Sequence, residues 1–279
     1  MKDLEKKTYL NVSSLFTKDG TAYKNFGISP TTLVFIHGVG MCADIWQPQV
    51  EYFSKHYRVI TYDFFGHGQS ALKKNKPSIN DYVEQLNNLV NEIGVLNFSL
   101  IGHSMGAIIA VAFALRYPKK VKTLIPINIV FKRTREAKNA VLKRADDVLR
   151  SGKITNIDQT INRWFKNKSS VEELVKVNNV SNWLQNTPPK GYSLAYHLFA
   201  TSDRIFENNL SKLLLPVLYL AGSEDLNSTS LMSKQMSQET PNSIFECVEG
   251  EAHMMSYIAA EKVNPIIAQF LNNNKNTAT

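Results

Sequence analysis

The chain has 279 residues, 43% of them hydrophobic, and a formal net charge of +8. That is enough for one large α/β domain, or for one domain with an inserted subdomain. No apolar run approaches the roughly 20 residues that a membrane-crossing helix needs, and the scattered positive charge comes with no nucleic-acid motif, so neither a membrane nor a nucleic acid is expected as partner.

The N-terminal stretch "MKDLEKKTYL" is charged and lacks the apolar core of a secretory signal, which points to a cytoplasmic protein. The next residues read as two short strands around a turn at Asp19-Gly20. Three continuous apolar runs follow, "TLVFIHG" (32–38), "YRVITYD" (57–63) and "FSLIGHS" (98–104). Such runs suit strands buried on both faces of a parallel sheet. Helical patterns fall between and after them, at about 44–54, 79–93 and 104–116. "VKTLIPIN" (121–128) reads as a further strand, with Pro126 implying an early end or a place near the sheet edge.

The alternation then stops. Residues 131–205 read as helix and loop, and the rhythm returns with "LPVLYLAG" (215–222), a helix at about 228–238, "SIFECVE" (243–249) and a last helix at about 257–271. The final "NNNKNTAT" reads as a frayed tail. Alternating strands and helices imply a parallel α/β sheet. The expected organisation is a core of residues 1–129 and 211–279 with a helical cap at 130–210, set over the sheet edge where such folds bind ligands. Within the cap, residues 131–153 carry eight Lys/Arg against three Asp/Glu, which reads first as a solvated helix face and second as a means of attracting an anionic substrate.

Gly102-His103-Ser104-Met105-Gly106 fits G-x-S-x-G at a strand-to-helix turn, the context in which that motif exposes a nucleophilic serine. A serine hydroxyl needs a base. Of the six histidines, His253 lies after the last predicted strand and before the last helix, at the sheet edge that Ser104 faces, whereas His103 is expected to point elsewhere. An acid must hold the imidazole. Asp225 follows the strand before His253 and completes the order Ser…Asp…His, with Glu224 its competitor; Asn128, after the preceding strand, cannot serve. The "HGVG" turn supplies the Val39 N–H as an oxyanion donor beside that of Met105. Cys42 and Cys247 lie far apart without metal-ligand spacing and read as buried free thiols. Neither a metal nor an organic cofactor is implied.

Together "HGVG", "YDFFGHGQS", "GHSMG", "GSED" and "EAH" resemble the α/β-hydrolase superfamily over nearly the whole chain. Haloalkane dehalogenases and epoxide hydrolases of that fold carry aspartate at the nucleophile position, where this chain has Ser104. "HGVGMCADIWQPQ" (37–49), "INRWFKNK" (161–168) and "LQNTPPKGYSLAYHLFATSD" (184–203) are similar to segments of 3-oxoadipate enol-lactonases and related carboxylesterases. The chain departs from the lactonases at Ala107, where they usually have a second glycine, and in "MMSYIAAEK" after the base. The resemblance implies hydrolysis of a small ester or lactone through an acyl-enzyme. Hydrolases of carbon–carbon bonds in ring-cleavage products are the rival enzymes, many with tryptophan where this chain has Met254 and Met255, and a non-catalytic receptor on the same fold is the alternative of a different class. Arg163, Trp164, Phe165, Trp183, Tyr192 and Tyr196 of the cap, with Met254, are candidates for the pocket, Arg163 as the partner of a substrate carboxylate.

Overall fold

The computed structural model describes residues 12–166 and 168–275. The charged N-terminal decapeptide and the last four residues of the polar tail lie outside the described residues.

Eight strands form one sheet: β1 (Leu15–Phe16), β2 (Ala22–Phe26), β3 (Thr32–Ile36), β4 (Arg58–Tyr62), β5 (Phe98–His103), β6 (Val121–Ile127), β7 (Val217–Gly222) and β8 (Ser243–Val248). Their spatial order is β1-β2-β4-β3-β5-β6-β7-β8, with β1 and β2 antiparallel and the rest parallel. All five residues of β3 and all six of β5 are buried, as continuous apolar runs between two helical layers require. The order reverses between β3 and β5: the chain runs outward from β3 to β4, then returns to β3's other side as β5. Ligand crevices of open α/β sheets form at such a switch point, beyond the strands' C-terminal ends.

The helices of the two layers are α1 (Gln47–Phe53), α2 (Ile79–Glu92), α3 (Met105–Arg116), α8 (Ser230–Glu239), α9 (Met255–Ile258) and α10 (Ala260–Asn273). The pattern at 44–54 is a 3-10 turn, Ala43–Trp46, continuing into α1, with proline in the first turn where its missing N–H has no intrahelical partner to lose. The single helix expected at 257–271 is two, because Ala259 leaves helical geometry at φ −119° and ψ 43°.

Between β6 and β7 the chain is helical: α4 (Arg135–Ser151), α5 (Ile157–Phe165), α6 (Val171–Asn186) and α7 (Pro189–Thr201). Local signals set the boundaries. Thr134 Oγ1 accepts the Ala137 N–H at the start of α4, and Gly152 ends it at φ 64°. Ser170 and Glu173 exchange side-chain-to-backbone bonds of 3.2 and 3.0 Å to open α6. Helix α4 packs on α7 through Val141, Ala145 and Val148 against Tyr192, Ala195 and Phe199, and Ser193 Oγ donates to the Ala145 carbonyl at 2.8 Å.

Two expectations are corrected. Pro126 neither ends its strand nor lies at an edge; β6 runs through it in the middle of the sheet, paired with Gly102 of β5. The neighbouring even positions direct their N–H groups to β7, Leu124 to the Pro216 carbonyl and Asn128 to that of Leu220, so the donor Pro126 lacks is missing on that side. There β6 and β7 pair only at Leu124–Val217 and Ile127–Leu220. The two thiols are free but not both buried: Cys42 is half-buried, and Cys247 is exposed on the edge strand β8. Among the described residues no helix is long and apolar enough to cross a membrane.

Candidate active site

Ser104 sits between β5 and α3 at φ 57° and ψ −114°. An L-residue adopts this backbone at a cost of order 1–3 kcal/mol, so the surroundings must impose it. They do: its N–H bonds the Ile127 carbonyl of β6 at 2.9 Å, and its own carbonyl already accepts from Ala107 at 3.1 Å as α3 begins. The flanking glycines are demanded by contact. A Cβ on Gly102 would lie 2.2 Å from the Gly106 carbonyl oxygen, and one on Gly106 would lie 2.3 Å from that of Ile36. The turn therefore folds tightly on itself and against β3, with Ser104 at its apex.

The loop after β7 places Asp225, which is 2% exposed, and the loop after β8 places His253, 4% exposed. Asp225 Oδ2 lies 2.6 Å from His253 Nδ1. Its Oδ1 accepts the N–H groups of Asn227 and Ser228 at 2.8 and 3.1 Å. Burial would raise the Asp225 carboxyl, but the adjacent imidazole and these donors outweigh it and hold the group below its usual range. A carboxylate on Nδ1 leaves Nε2 as the ring nitrogen free for chemistry. Glu224 turns the other way, half-exposed and paired with Lys166.

After β3, His37 Nδ1 donates to the Gly38 carbonyl at 2.8 Å, and Met41 N–H bonds the same oxygen at 3.3 Å. Carbonyl and N–H point oppositely across a trans peptide, so Val39 N–H faces away from the His37 ring. Met105 is fully buried as the first residue of α3, where an N–H has no intrahelical acceptor. His37, His67 and His103 are buried and neutral: burial first, and neighbouring histidine for His37 and His103, depress their basicity, to about 3 for His67 and His103.

Ser104, His253 and Val39 line one cavity of about 210 Å³. Of the cap candidates, Arg163, Trp164, Tyr192 and Tyr196 line it too, as does Met254. Trp183 does not: it packs edge-on against Tyr257 at 5.4 Å, because the buried face of α6 is that of Val180 and Leu184, and it opens instead onto a second recess beside α1. Phe165 is buried in the hydrophobic core and is not among the lining residues.

Two arginines and one face of α4 went unread in the sequence. Arg133 and Arg144 join Arg163 on the cavity wall, and no Asp or Glu is among its described lining residues. Ala137, Ala140, Val141 and Arg144 follow one another at helical spacing on the cavity face of α4, a periodicity that the surrounding lysines obscured. The basic stretch is thus a solvated face only in part. Arg144 Nε donates to Tyr196 Oη at 3.1 Å, and Arg133 lies over the Phe199 ring at 4.2 Å while donating to the Phe199 carbonyl at 2.9 Å. Nε and Nη2 of Arg163 and Nη2 of Arg133 are buried without a hydrogen-bond partner. Asn128 donates to Asp225 Oδ2 at 2.7 Å, and His103, rather than pointing elsewhere, packs on the His253 ring with centroids 4.7 Å apart. Among the described residues no group of three or more His, Cys, Asp or Glu is placed to hold a metal ion.

Residues 31–260 match the family model described as alpha/beta hydrolase fold. The chain belongs to that family. It is 38% identical over 239 residues to the (E)-2-((N-methylformamido)methylene)succinate hydrolase of Acinetobacter baylyi, covering 86% of this chain and 89% of the relative. It is 27% identical over 240 residues to 3-oxoadipate enol-lactonase 1 of the same organism, covering 86% and 88%. Among solved structures, a thermophilic esterase from Thermogutta terrifontis superposes with a TM-score of 0.83 at 23% identity, over 94% of this chain and 97% of the esterase, a likeness of fold.

Proposed function

We propose that this member of the alpha/beta hydrolase family is a serine hydrolase that cleaves a carboxylic ester or lactone, and that its substrate carries a carboxylate away from the scissile bond. The observation that carries the reading is the His253 Nδ1–Asp225 Oδ2 contact of 2.6 Å behind a cavity lined by both His253 and Ser104. His253 Nε2 takes the Ser104 proton as Oγ attacks the acyl carbon. The N–H groups of Val39 and Met105 hold the oxyanion, each such donor being typically worth about 3 kcal/mol. His253 then protonates the leaving oxygen, and a water activated by the same imidazole releases the acid. Asp225 keeps the imidazole in the right tautomer and stabilises its charged form.

The substrate carboxylate is supported by electrostatics. Three arginines with no acid among them line a small cavity, and Arg163 has two guanidinium nitrogens without partners. A carboxylate facing a guanidinium gains charge-assisted, commonly bidentate hydrogen bonds. A second reading, hydrolysis of an N-acyl bond in a carboxylate-bearing substrate, is favoured by one finding: the 38%-identical relative is named for a formamido compound of succinate. The same acyl-enzyme route serves an amide if His253 protonates the leaving nitrogen.

Labelling with a fluorophosphonate tests the common part: Ser104 should be modified and Ser104→Ala should not react. Turnover of p-nitrophenyl esters, simple lactones, N-formyl amides and a ring-cleavage dienoate, each with and without a remote carboxylate, then separates the bonds. A folded protein that resists the label and turns over none of them would overturn the proposal in favour of a binding protein.

A further inference from the structure

We propose that Asn128 is a positioning residue for His253: its side-chain amide ties the Asp225 carboxylate to the backbone of the base loop and so fixes the imidazole in front of Ser104. The inference rests on the proposed role of His253 as the base.

Asn128 follows β6, is fully buried, and stands at φ 51°, a left-handed backbone that asparagine tolerates better than most L-residues. Its backbone N–H is anchored to the Leu220 carbonyl of β7 at 2.9 Å. From this fixed point Nδ2 reaches two loops at once, Asp225 Oδ2 at 2.7 Å and the His253 carbonyl at 3.2 Å. The same carbonyl meets His103 Nε2 at 2.8 Å, so the residue preceding the nucleophile and the residue following β6 both hold the backbone of the base. The His253 Nδ1–H and the Asn128 amide share one carboxylate oxygen, Oδ2, while two backbone N–H groups occupy the other. An amide donor on that oxygen draws off part of its negative charge and moderates its pull on a protonated imidazole. Losing the donor should loosen the base loop and make His253 more basic. Placing a carboxylate there should do so more strongly.

Other charged and titratable groups face His253 from every side: the neutral His103 from β5, Arg163 from α5, Arg133 and Arg144 across the cavity, and Glu251 on its own loop, whose carboxylate is paired with Lys168 at 3.0 Å and Lys262 at 2.6 Å. None of these groups is hydrogen-bonded to the Asn128 side chain, which bonds only Asp225 and the His253 carbonyl, so a shift in the pH profile reports first on Asp225 and the new side chain.

The test uses Asn128→Asp, of equal size and equally tolerant of the backbone, and Asn128→Gly, which keeps the backbone and removes the side chain. With p-nitrophenyl acetate as probe, kcat should fall roughly tenfold or more while KM stays within about twofold. The acidic limb of the pH profile of kcat/KM should move upward by on the order of half a unit for Asn128→Gly and one unit for Asn128→Asp. Either folded variant decides. An unchanged kcat, or a loss of kcat with an unmoved acidic limb, would overturn the proposal, since a merely structural role leaves the base's titration alone. His253→Ala is measured beside them: if it stays active, the reading of His253 as base has failed; if it is inactive and the Asn128 variants behave as wild type, only this inference has.

Discussion

Glu224 and Asp225 are neighbours in the chain that face opposite ways: Asp225 Oδ2 meets His253 Nδ1 at 2.6 Å, whereas Glu224 pairs with Lys166 of the cap at the surface. Their burial differs as much as their partners. Asp225→Asn should therefore cut kcat on the order of 10⁴-fold by letting the imidazole take the wrong tautomer, with the fold intact. Glu224→Gln should change kcat less than about threefold, because an exposed ion pair is worth at most about 1 kcal/mol. Steady-state kinetics on both variants check this, and the reverse pattern would move the acid to Glu224.

Gly102 and Gly106 hold the serine turn closed, and each would place a Cβ within 2.3 Å of a backbone carbonyl oxygen. Neither oxygen can yield, since one belongs to the first turn of α3 and the other to β3, buried in the middle of the sheet. Alanine at either site should lower the midpoint of thermal unfolding by more than 10 °C or abolish soluble expression. Gly94→Ala and Gly152→Ala, at positive φ but in open space, should cost only about 1 kcal/mol each. Similar melting temperatures in all four variants would mean that the turn relaxes where it is drawn as rigid.

Much of this architecture can be read from residue pattern alone, and the failures have physical causes. The runs at Thr32, Arg58 and Phe98 announce buried strands because a parallel sheet covered on both faces needs apolar residues at every position. Ser104, Asp225 and His253 stand out because each follows a strand at the same edge. Pro126 misleads because a proline rule drawn for continuous ladders does not apply where the ladder to the next strand is already interrupted. Arg144 hides in a helix, and Arg133 just before it, within a basic stretch whose charge suggests solvent, while the Ala137–Arg144 face that reaches the cavity is the apolar one. Asn128 is passed over when only acids are sought after β6. Its amide is a donor, and the acid it serves lies 97 residues away.

The buried histidines set the response to acid. His67 and His103 are depressed to about 3 by burial, and His37 lies well below its ordinary range. In the unfolded chain each titrates near 6.5, so their neutral burial contributes stability that is present above about pH 6.5 and lost as pH falls toward 3. At pH 5 His67 and His103 should each have cost about 2 kcal/mol. Asp63, raised to about 6 by burial despite its bonds to Gln69 and Ala43, acts oppositely and returns about 1 kcal/mol over the same interval. Urea unfolding at pH 7.5 and pH 5 should show a net loss of several kcal/mol, smaller in His67→Asn. Equal stability at the two pH values would mean that these imidazoles are charged in the folded protein.

On the proposed reading Arg163 receives the carboxylate at the substrate's far end. Arg163 lies on α5, whose Trp164 carbonyl accepts the Met254 N–H at 3.3 Å, so its helix is joined by the backbone to the residue after His253. That junction places its guanidinium on the cavity that Ser104 lines. Attraction by exposed lysines of the cap acts through water and should fade with salt, because the screening length is about 8 Å at physiological ionic strength. A contact with the partly buried Arg163 is shielded from salt and should persist. The matched probes are mono-p-nitrophenyl succinate and its methyl ester, which differ by one charge at the end away from the scissile bond. Arg163→Met should lower kcat/KM for the charged ester by about 10- to 150-fold, the equivalent of a lost charge-assisted contact of about 1.5–3 kcal/mol, with much less effect on the neutral one. The wild-type preference for the charged ester should survive an increase from 50 to 500 mM NaCl by more than half. Equal losses on the two esters would assign Arg163 to the support of the cap, and the substrate would then be sought among neutral esters.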